Sequence, residues 1–153
     1  PRADANEIAL VHGVHAERLA QHPDFGPDLA ALLRARGYAT AQVAHSADAA
    51  GHLDRSGDAP VFVHLVHRRK VQGGESLREV VGNVNVALAR RGATENTLVL
   101  VVAPQGARHD VGQLREAVLH DTLIAIWPGH IPPGTSSDLA HATDLLPTVA
   151  ALA

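Results

Sequence analysis

The hydrophobic positions of this chain follow two different periods, and each period predicts a different kind of element. Apolar residues at helical spacing predict four helices: Gly26–Gly37, Glu75–Arg91, Leu114–Leu119 and Asp144–Ala153. Short, uninterrupted apolar runs predict four strands: Tyr38–Ala44, Val61–Val66, Thr97–Ala103 and Thr122–Ile126. Pro27 suits the first turn of the first helix, and Gly37 and Gly92 suit the positions that follow a helix.

The order of these elements predicts the fold class. Strands that alternate with helices favour an α/β fold with a mostly parallel or mixed central sheet flanked by helices. The Leu-Val-Leu-Val-Val run within Thr97–Ala103 is typical of a strand that is buried on both faces. We therefore expect this strand at the centre of one sheet, together with Tyr38–Ala44 and Val61–Val66. Ligands of such sheets bind beyond the carboxyl ends of the strands.

The composition of the chain excludes several classes of protein and several kinds of binding partner. The 153 residues suit one domain over residues 1–153, and the 46% hydrophobic and 19% charged fractions suit a soluble globular chain. The net charge of −3 argues against nucleic acid as a partner. No apolar run approaches the roughly 20 residues of a membrane span. Because there is no cysteine, disulfides, thiolate metal sites and a cysteine nucleophile are excluded. Oligomeric state and compartment stay open.

Four segments, in order along the chain, resemble motifs of the sulfatase family. Leu29–Thr40 resembles a Leu-x-x-Leu-Leu-Arg-x-x-Gly-Tyr-x-Thr segment, and Glu95–Val102 resembles an Asp-Asn-Thr-Leu-Val-Val strand entry. Ile126–Thr135 resembles Arg-Trp-Pro-Gly-x-Ile-Pro-x-Gly, and Thr143–Thr148 resembles Val-Asp-Leu-Leu-Pro-Thr. The resemblance implies a truncated sulfatase-like core of the alkaline-phosphatase superfamily. It also implies hydrolysis of sulfuric esters, with a small anionic ester as ligand.

The resemblance does not extend to the catalytic motifs of the family. The turn Val11–Gly13 is the segment most similar to the Leu-Thr-Gly-like turn that follows the Cys-x-Pro-Ser-Arg motif of the family. When the two turns are aligned, the family cysteine that becomes formylglycine corresponds to Ala3. The metal-binding Ser-Asp-His-Gly segment falls on Ala103–Gly106, and the Gly-Lys-Trp-His segment falls on Ala44–Ala47. A hard cation such as Ca²⁺ requires about 6–8 oxygen ligands, which these residues do not supply. We therefore expect a sulfatase-like pseudoenzyme that holds no family cofactor and has no catalytic residue to assign.

The chain is rich in histidine, which keeps a second hypothesis open. The carboxyl ends of three predicted strands carry His45 and Asp48, His64 and His67, and His109 and Asp110. Two imidazoles and one carboxylate suit zinc, so His67, His109 and Asp110 are the predicted ligands of a divalent metal, zinc or calcium. This set would make the chain a metal-dependent hydrolase of phosphate or sulfate esters. The alternative is that these histidines do not converge on one site, because His64 and His67 face opposite sides of their strand and only one of them can face a shared site.

A basic triplet supports a third hypothesis. Arg68, Arg69 and Lys70 follow the predicted strand Val61–Val66, where they could hold the sulfate or phosphate of a small anionic ester. The chain would then be an anion-binding module rather than an enzyme. A solvated loop is the alternative for the same three residues.

Overall fold

The computed structural model describes residues 11–13, 18, 21, 26–66, 75–103, 122–138 and 140–153. The chain divides into two compact units. One unit is Ala30–Thr97, and the other combines Leu98–Ala153 with the chain up to Leu29. Within the described part of the chain, no helix is both long enough and apolar enough to cross a membrane.

The Ala30–Thr97 unit is built on a strand–helix–strand crossover. Strand β1 (Ala39–Val43) is joined to β2 (Val61–Leu65) by helix α2 (Ser46–Arg55), and α3 (Leu77–Arg90) follows. The two strands are parallel, in register from Ala39 opposite Val61 to Val43 opposite Leu65. Parallel neighbours require such a crossover, and α2 packs against both strands and against α3.

Helix α1 (Leu29–Ala35) ends in a glycine turn that leads into β1. Gly37 has a φ of 88°, its N–H donates to the Arg34 carbonyl at 3.0 Å, and the Tyr38 N–H donates to the Leu33 carbonyl at 3.1 Å. These two bonds form a Schellman-type end, in which glycine adopts the left-handed conformation without a Cβ penalty.

The core is made of aliphatic and small side chains. This follows from the composition, since aromatic residues are only 3% of the chain. Ala87 of α3 is 0% exposed and Ala49 of α2 is 2% exposed, so small side chains are buried in each of these two packed helices. The remaining buried hydrophobic residues are Leu29, Leu33, Leu53, Val80 and Leu88.

The second unit contains an antiparallel strand pair and the C-terminal helix. Strand β3 (Val99–Ala103) pairs with β4 (Thr122–Ile126), with Val101 opposite Ile124. A single 3-10 turn (Ala142–Asp144) leads into α4 (Leu145–Leu152).

The structure confirms the predicted α/β class and corrects some of its details. Hydrogen bonding defines two two-stranded sheets, one parallel and one antiparallel, rather than one sheet that contains β1, β2 and β3. Residues Val99–Val102 are half-buried, not fully buried as predicted. An apolar run indicates that a strand favours burial, but it does not show which other elements pack against the strand. Helix α2 was not predicted. The predicted helix Leu114–Leu119 lies outside the described residues.

Candidate functional site

The residues predicted to hold a metal lie outside the described part of the chain. This applies to His67, His109 and Asp110, and also to the basic triplet 68–70. Their roles therefore stay predictions. Among the residues that the structure does describe, no three His, Asp or Glu side chains come together as a metal-binding group.

The structure places His45, Asp48 and His64, the other polar residues predicted near strand ends, at different positions along the parallel sheet and its crossover helix. His45 immediately precedes α2, and Asp48 lies in the first turn of that helix; both are exposed. His64 lies within β2, opposite Gln42 of β1, and is half-buried. The end of β1 and the start of α2 are thus where described polar residues accumulate, as expected for the carboxyl edge of a parallel sheet.

A polar cluster occupies this edge, formed by the buried Ser46, the half-buried Glu75 and the exposed Asn83. Ser46 is the first residue of α2 and is 0% exposed. Glu75 lies two residues before α3, and Asn83 lies in the second turn of that helix. The cluster therefore links the N-terminal part of α2 to the N-terminal part of α3.

The hydrogen bonds of the cluster use both roles of the serine hydroxyl. Ser46 Oγ donates a hydrogen bond to Glu75 Oε1. It also accepts from Asn83 Nδ2 at 2.9 Å, and the same amide lies 3.3 Å from Glu75 Oε1. The backbone N–H of Ser46 donates to Glu75 Oε2 at 3.1 Å. Because His45 forms no side-chain cap at this helix, Glu75 satisfies one of the amide groups that every helix start leaves without an intrahelical partner.

These donors keep Glu75 ionised. The pKa of Glu75 lies below its ordinary value of 4.5, chiefly because the Ser46 hydroxyl hydrogen-bonds the carboxylate, and further because the Ser46 backbone N–H does. Partial burial opposes the shift, while the Asn83 amide and the nearby His45 add to it. Hydrogen bonds to the charged form thus outweigh desolvation.

Arg91 joins helices α2 and α3 at their C-terminal ends. Arg91 Nη1 donates to the Leu53 carbonyl at 2.7 Å, and its Nη2 donates to the Ala59 carbonyl at 2.6 Å. Helices α2 and α3 therefore run side by side in the same direction, with one polar contact at their starts and another at their ends. This arrangement joins the crossover helix α2 to α3 at both ends.

Two further serine–carboxylate pairs in the described residues also serve local structure. Ser76 and Glu79 form a capping box at the start of α3, with a 3.2 Å bond to the Ser76 hydroxyl and a 2.6 Å bond to the Glu79 carboxylate. Ser136 Oγ donates to Asp138 Oδ2 at 2.7 Å and accepts from the Asp138 N–H at 3.0 Å, which closes a short turn. No histidine takes part in either pair, so neither has the arrangement of a nucleophile with its base.

The segment after β4 forms a compact aromatic turn. The rings of Trp127 and His130 stack with centroids 4.2 Å apart and 18° between their planes. Gly129 has a φ of 78°, and His130 Nδ1 lies 3.2 Å from the Pro128 carbonyl. Since a carbonyl only accepts, Nδ1 carries the proton in this contact. The Trp-Pro-Gly-His sequence is therefore accounted for by local packing.

Comparison with known proteins relates part of this chain to two arylsulfatases. The chain is 37% identical over 97 residues to human arylsulfatase A (Homo sapiens), and the match covers 52% of this chain and 19% of that protein. It is 36% identical over 97 residues to the bovine protein of the same name (Bos taurus), with the same coverage of 52% and 19%. The chain thus spans about a fifth of the length of these curated relatives. No family model matches the chain. No match was found among solved structures.

Proposed function

Since part of this chain is related to the sulfatase family, we propose that it is a sulfatase-like domain that does not hydrolyse sulfuric esters as it stands. The observation that carries the proposal is the absence of cysteine from all 153 residues. The family resemblance implies a nucleophile made from cysteine, and this chain has no cysteine.

The geometry of Ser46 supports the same proposal. A serine beside a carboxylate is the nearest substitute for the missing nucleophile, and Ser46 with Glu75 forms such a pair at the carboxyl edge of the parallel sheet. A nucleophile must reach the substrate, yet Ser46 is 0% exposed. Its hydroxyl is also engaged both as a donor and as an acceptor.

Turnover of an aryl sulfate tests the proposal directly. The full chain is expressed together with a formylglycine-generating enzyme, purified, and assayed with a chromogenic aryl sulfate in the presence of Ca²⁺. We expect no hydrolysis above the rate in buffer, whereas arylsulfatase A prepared in parallel is active. Hydrolysis that is lost on a single substitution in this chain, Ser46→Ala among them, would show that the domain carries its own active site.

A divalent metal at His67, His109 and Asp110 is a separate proposal, which rests on the sequence pattern alone. Two imidazoles and one carboxylate leave the open fourth position that a catalytic zinc requires. Calorimetry with Zn²⁺ on the native chain and on His109→Ala tests it, with saturable heat expected from the native chain only. Equal heats from both proteins, or none from either, would remove the metal-dependent hydrolase hypothesis.

A further inference from the structure

Two carboxylates hold the first turn of α3. Glu75 accepts hydrogen bonds from the hydroxyl and from the backbone N–H of Ser46, which tie the residue two before α3 to the start of α2. Glu79 accepts from the Ser76 N–H at 2.6 Å, which closes the capping box of α3. An ionised carboxylate only accepts, whereas a protonated one gives up acceptor capacity for an O–H. Because the partners donate N–H or O–H groups, protonation of either carboxylate weakens its contact.

The two ends of α3 differ in the packing that holds them. Residues 76–79 are exposed, and Val80 is the first buried residue of the helix. At the other end, Ala87 and Leu88 are buried, and Arg91 donates to two backbone carbonyls. Neither a guanidinium nor a carbonyl group changes its charge in mild acid. The C-terminal end of α3 is therefore held by contacts that do not depend on pH, whereas its first turn depends on ionised groups.

The groups around the helix start set the pH at which these contacts weaken. Hydrogen bonds from Ser46 and from Ser76 lower the pKa of Glu75 and of Glu79, respectively, below the ordinary value of 4.5. The nearby His45 lowers the pKa of Glu75 further, while the charge of Glu75 opposes the shift at Glu79. Two other charged side chains of these helix starts are exposed: Asp48 and Arg78. Because both folded values are depressed, both contributions are complete above about pH 4.5 and are lost as pH falls through the folded values.

We propose that acid opens this helix pair from one end: protonation of Glu75 and Glu79 releases the first turn of α3 from α2, while Arg91 keeps the other ends of the two helices joined. The opening is local, because the buried residues of α3 from Val80 onward stay packed. It brings the backbone N–H and the hydroxyl of Ser46, which is 0% exposed in the closed form, into contact with water.

Native-state hydrogen exchange of the full chain tests the proposal. Exchange is followed by NMR from about pH 6 to about pH 3 and is corrected for the intrinsic rate at each pH. The Arg91 N–H, which donates to the Ala87 carbonyl at 3.1 Å, reports on the end of α3. We expect the amides of the helix start to lose protection at least about tenfold at a pH where that of Arg91 has changed by less than about twofold. The amides that report on the helix start are those of Ser46, Ser76, Glu79 and Val80.

Glutamine variants reproduce the neutral carboxyl groups without acid. In Glu75→Gln/Glu79→Gln, the amides of the helix start should exchange at least about tenfold faster than in wild type near pH 6. Glu79→Gln alone should free the Ser76 N–H and leave the Ser46 N–H protected, and it replaces the double variant if circular dichroism shows that the latter is not folded. Asp58→Asn is the matched control, because it removes an exposed carboxylate of the same unit from the turn after α2 and should exchange as wild type does.

Three outcomes would overturn the proposal. Loss of protection at the same pH at both ends of α3 would show that the helix pair unfolds as a whole. Unchanged protection of the Ser46 and Ser76 amides down to about pH 3 would show that the carboxylates do not hold the helix start. An Asp58→Asn variant that exchanges as fast as the glutamine variants would show that the position of the carboxylate is irrelevant.

Discussion

The serine at the start of α2 offers the sharpest test of how the Ala30–Thr97 unit is held together. Ser46→Ala removes one oxygen atom and adds nothing, so it leaves the shape of the buried site almost unchanged. It abolishes the hydrogen bond that Ser46 donates to Glu75 and the one that it accepts from Asn83. Because Ser46 is 0% exposed, water does not replace the lost hydroxyl.

The hydrogen bonds that remain around Ser46 limit how far Ser46→Ala lowers the free energy of unfolding. A buried hydroxyl that bonds to one neutral and one charged partner contributes about 2–4 kcal/mol to folding. The loss is partial here, since the Asn83 amide still lies 3.3 Å from Glu75 Oε1 and the Ser46 backbone N–H still donates to Oε2. We therefore expect Ser46→Ala to lower the free energy of unfolding by about 2 kcal/mol, a large share of the 5–15 kcal/mol that is typical of a domain.

Urea unfolding, followed by far-ultraviolet circular dichroism at neutral pH, measures this loss. The control is Ser137→Ala, because Ser137 is exposed and a substitution there should change the free energy by less than about 0.5 kcal/mol. A Ser46→Ala variant as stable as the control would refute the Ser46 hydroxyl as a source of stability.

Three further predictions concern other described contacts. Because the folded-state pKa of Glu75 lies below 4.5, its carboxylate stabilises the protein above that pH, and the contribution is lost as pH falls through the folded value. The stability difference between wild type and Glu75→Gln in urea should thus be largest at neutral pH and narrow in acid. Gly13→Ala should lower the free energy of unfolding by about 1–2 kcal/mol, because φ is +64° and the new Cβ would lie 3.1 Å from Leu146 Cβ. His130→Ala should shift the fluorescence of Trp127 to longer wavelength, because it removes the imidazole from one face of the indole.

The elements with clear periodicity could be predicted from the sequence. The predicted strand Thr122–Ile126 has the same bounds in the structure, and β2 differs from its prediction by one residue. Helix α3 begins at Leu77 rather than at the predicted Glu75, because Ser76 and Glu79 form a capping box there. The Ser-x-x-Glu pattern that signals this start is visible in the sequence.

Helix α2 could not be predicted from hydrophobic spacing. Its sequence, Ser-Ala-Asp-Ala-Ala-Gly-His-Leu-Asp-Arg, carries one large apolar residue, Leu53, so no apolar stripe is evident. Three alanines, Asp48 in the first turn and Arg55 in the last turn are weaker signals, and together they favour a helix. Without α2, the end of β1 was interpreted as a polar strand end, and Ser46 was missed as a buried residue.

The cluster itself was beyond sequence reasoning because its members lie far apart in the chain. Ser46 and Glu75 are separated by 29 residues, and Ser46 and Asn83 by 37. Only the parallel packing of α2 on α3 brings them together, and neither helix pattern specifies that packing. The short-range signals available, histidines and a carboxylate near predicted strand ends, pointed to residues 67, 109 and 110 instead.

The carboxylate of Glu75 lies at the start of α2, a position where an anionic ligand would bind in many α/β proteins. The start of a helix that follows a parallel strand is where α/β proteins often hold an anionic ligand, because backbone N–H groups and the helix dipole favour negative charge there. In this chain, a carboxylate of the protein itself accepts from the first N–H of α2. Glu75 is ionised at neutral pH, because its pKa lies below its ordinary value of 4.5, which is itself well below neutrality, so that N–H already has an anionic partner. The negative charge that a ligand would bring to this helix start is thus supplied from within the fold, where it joins α2 to α3.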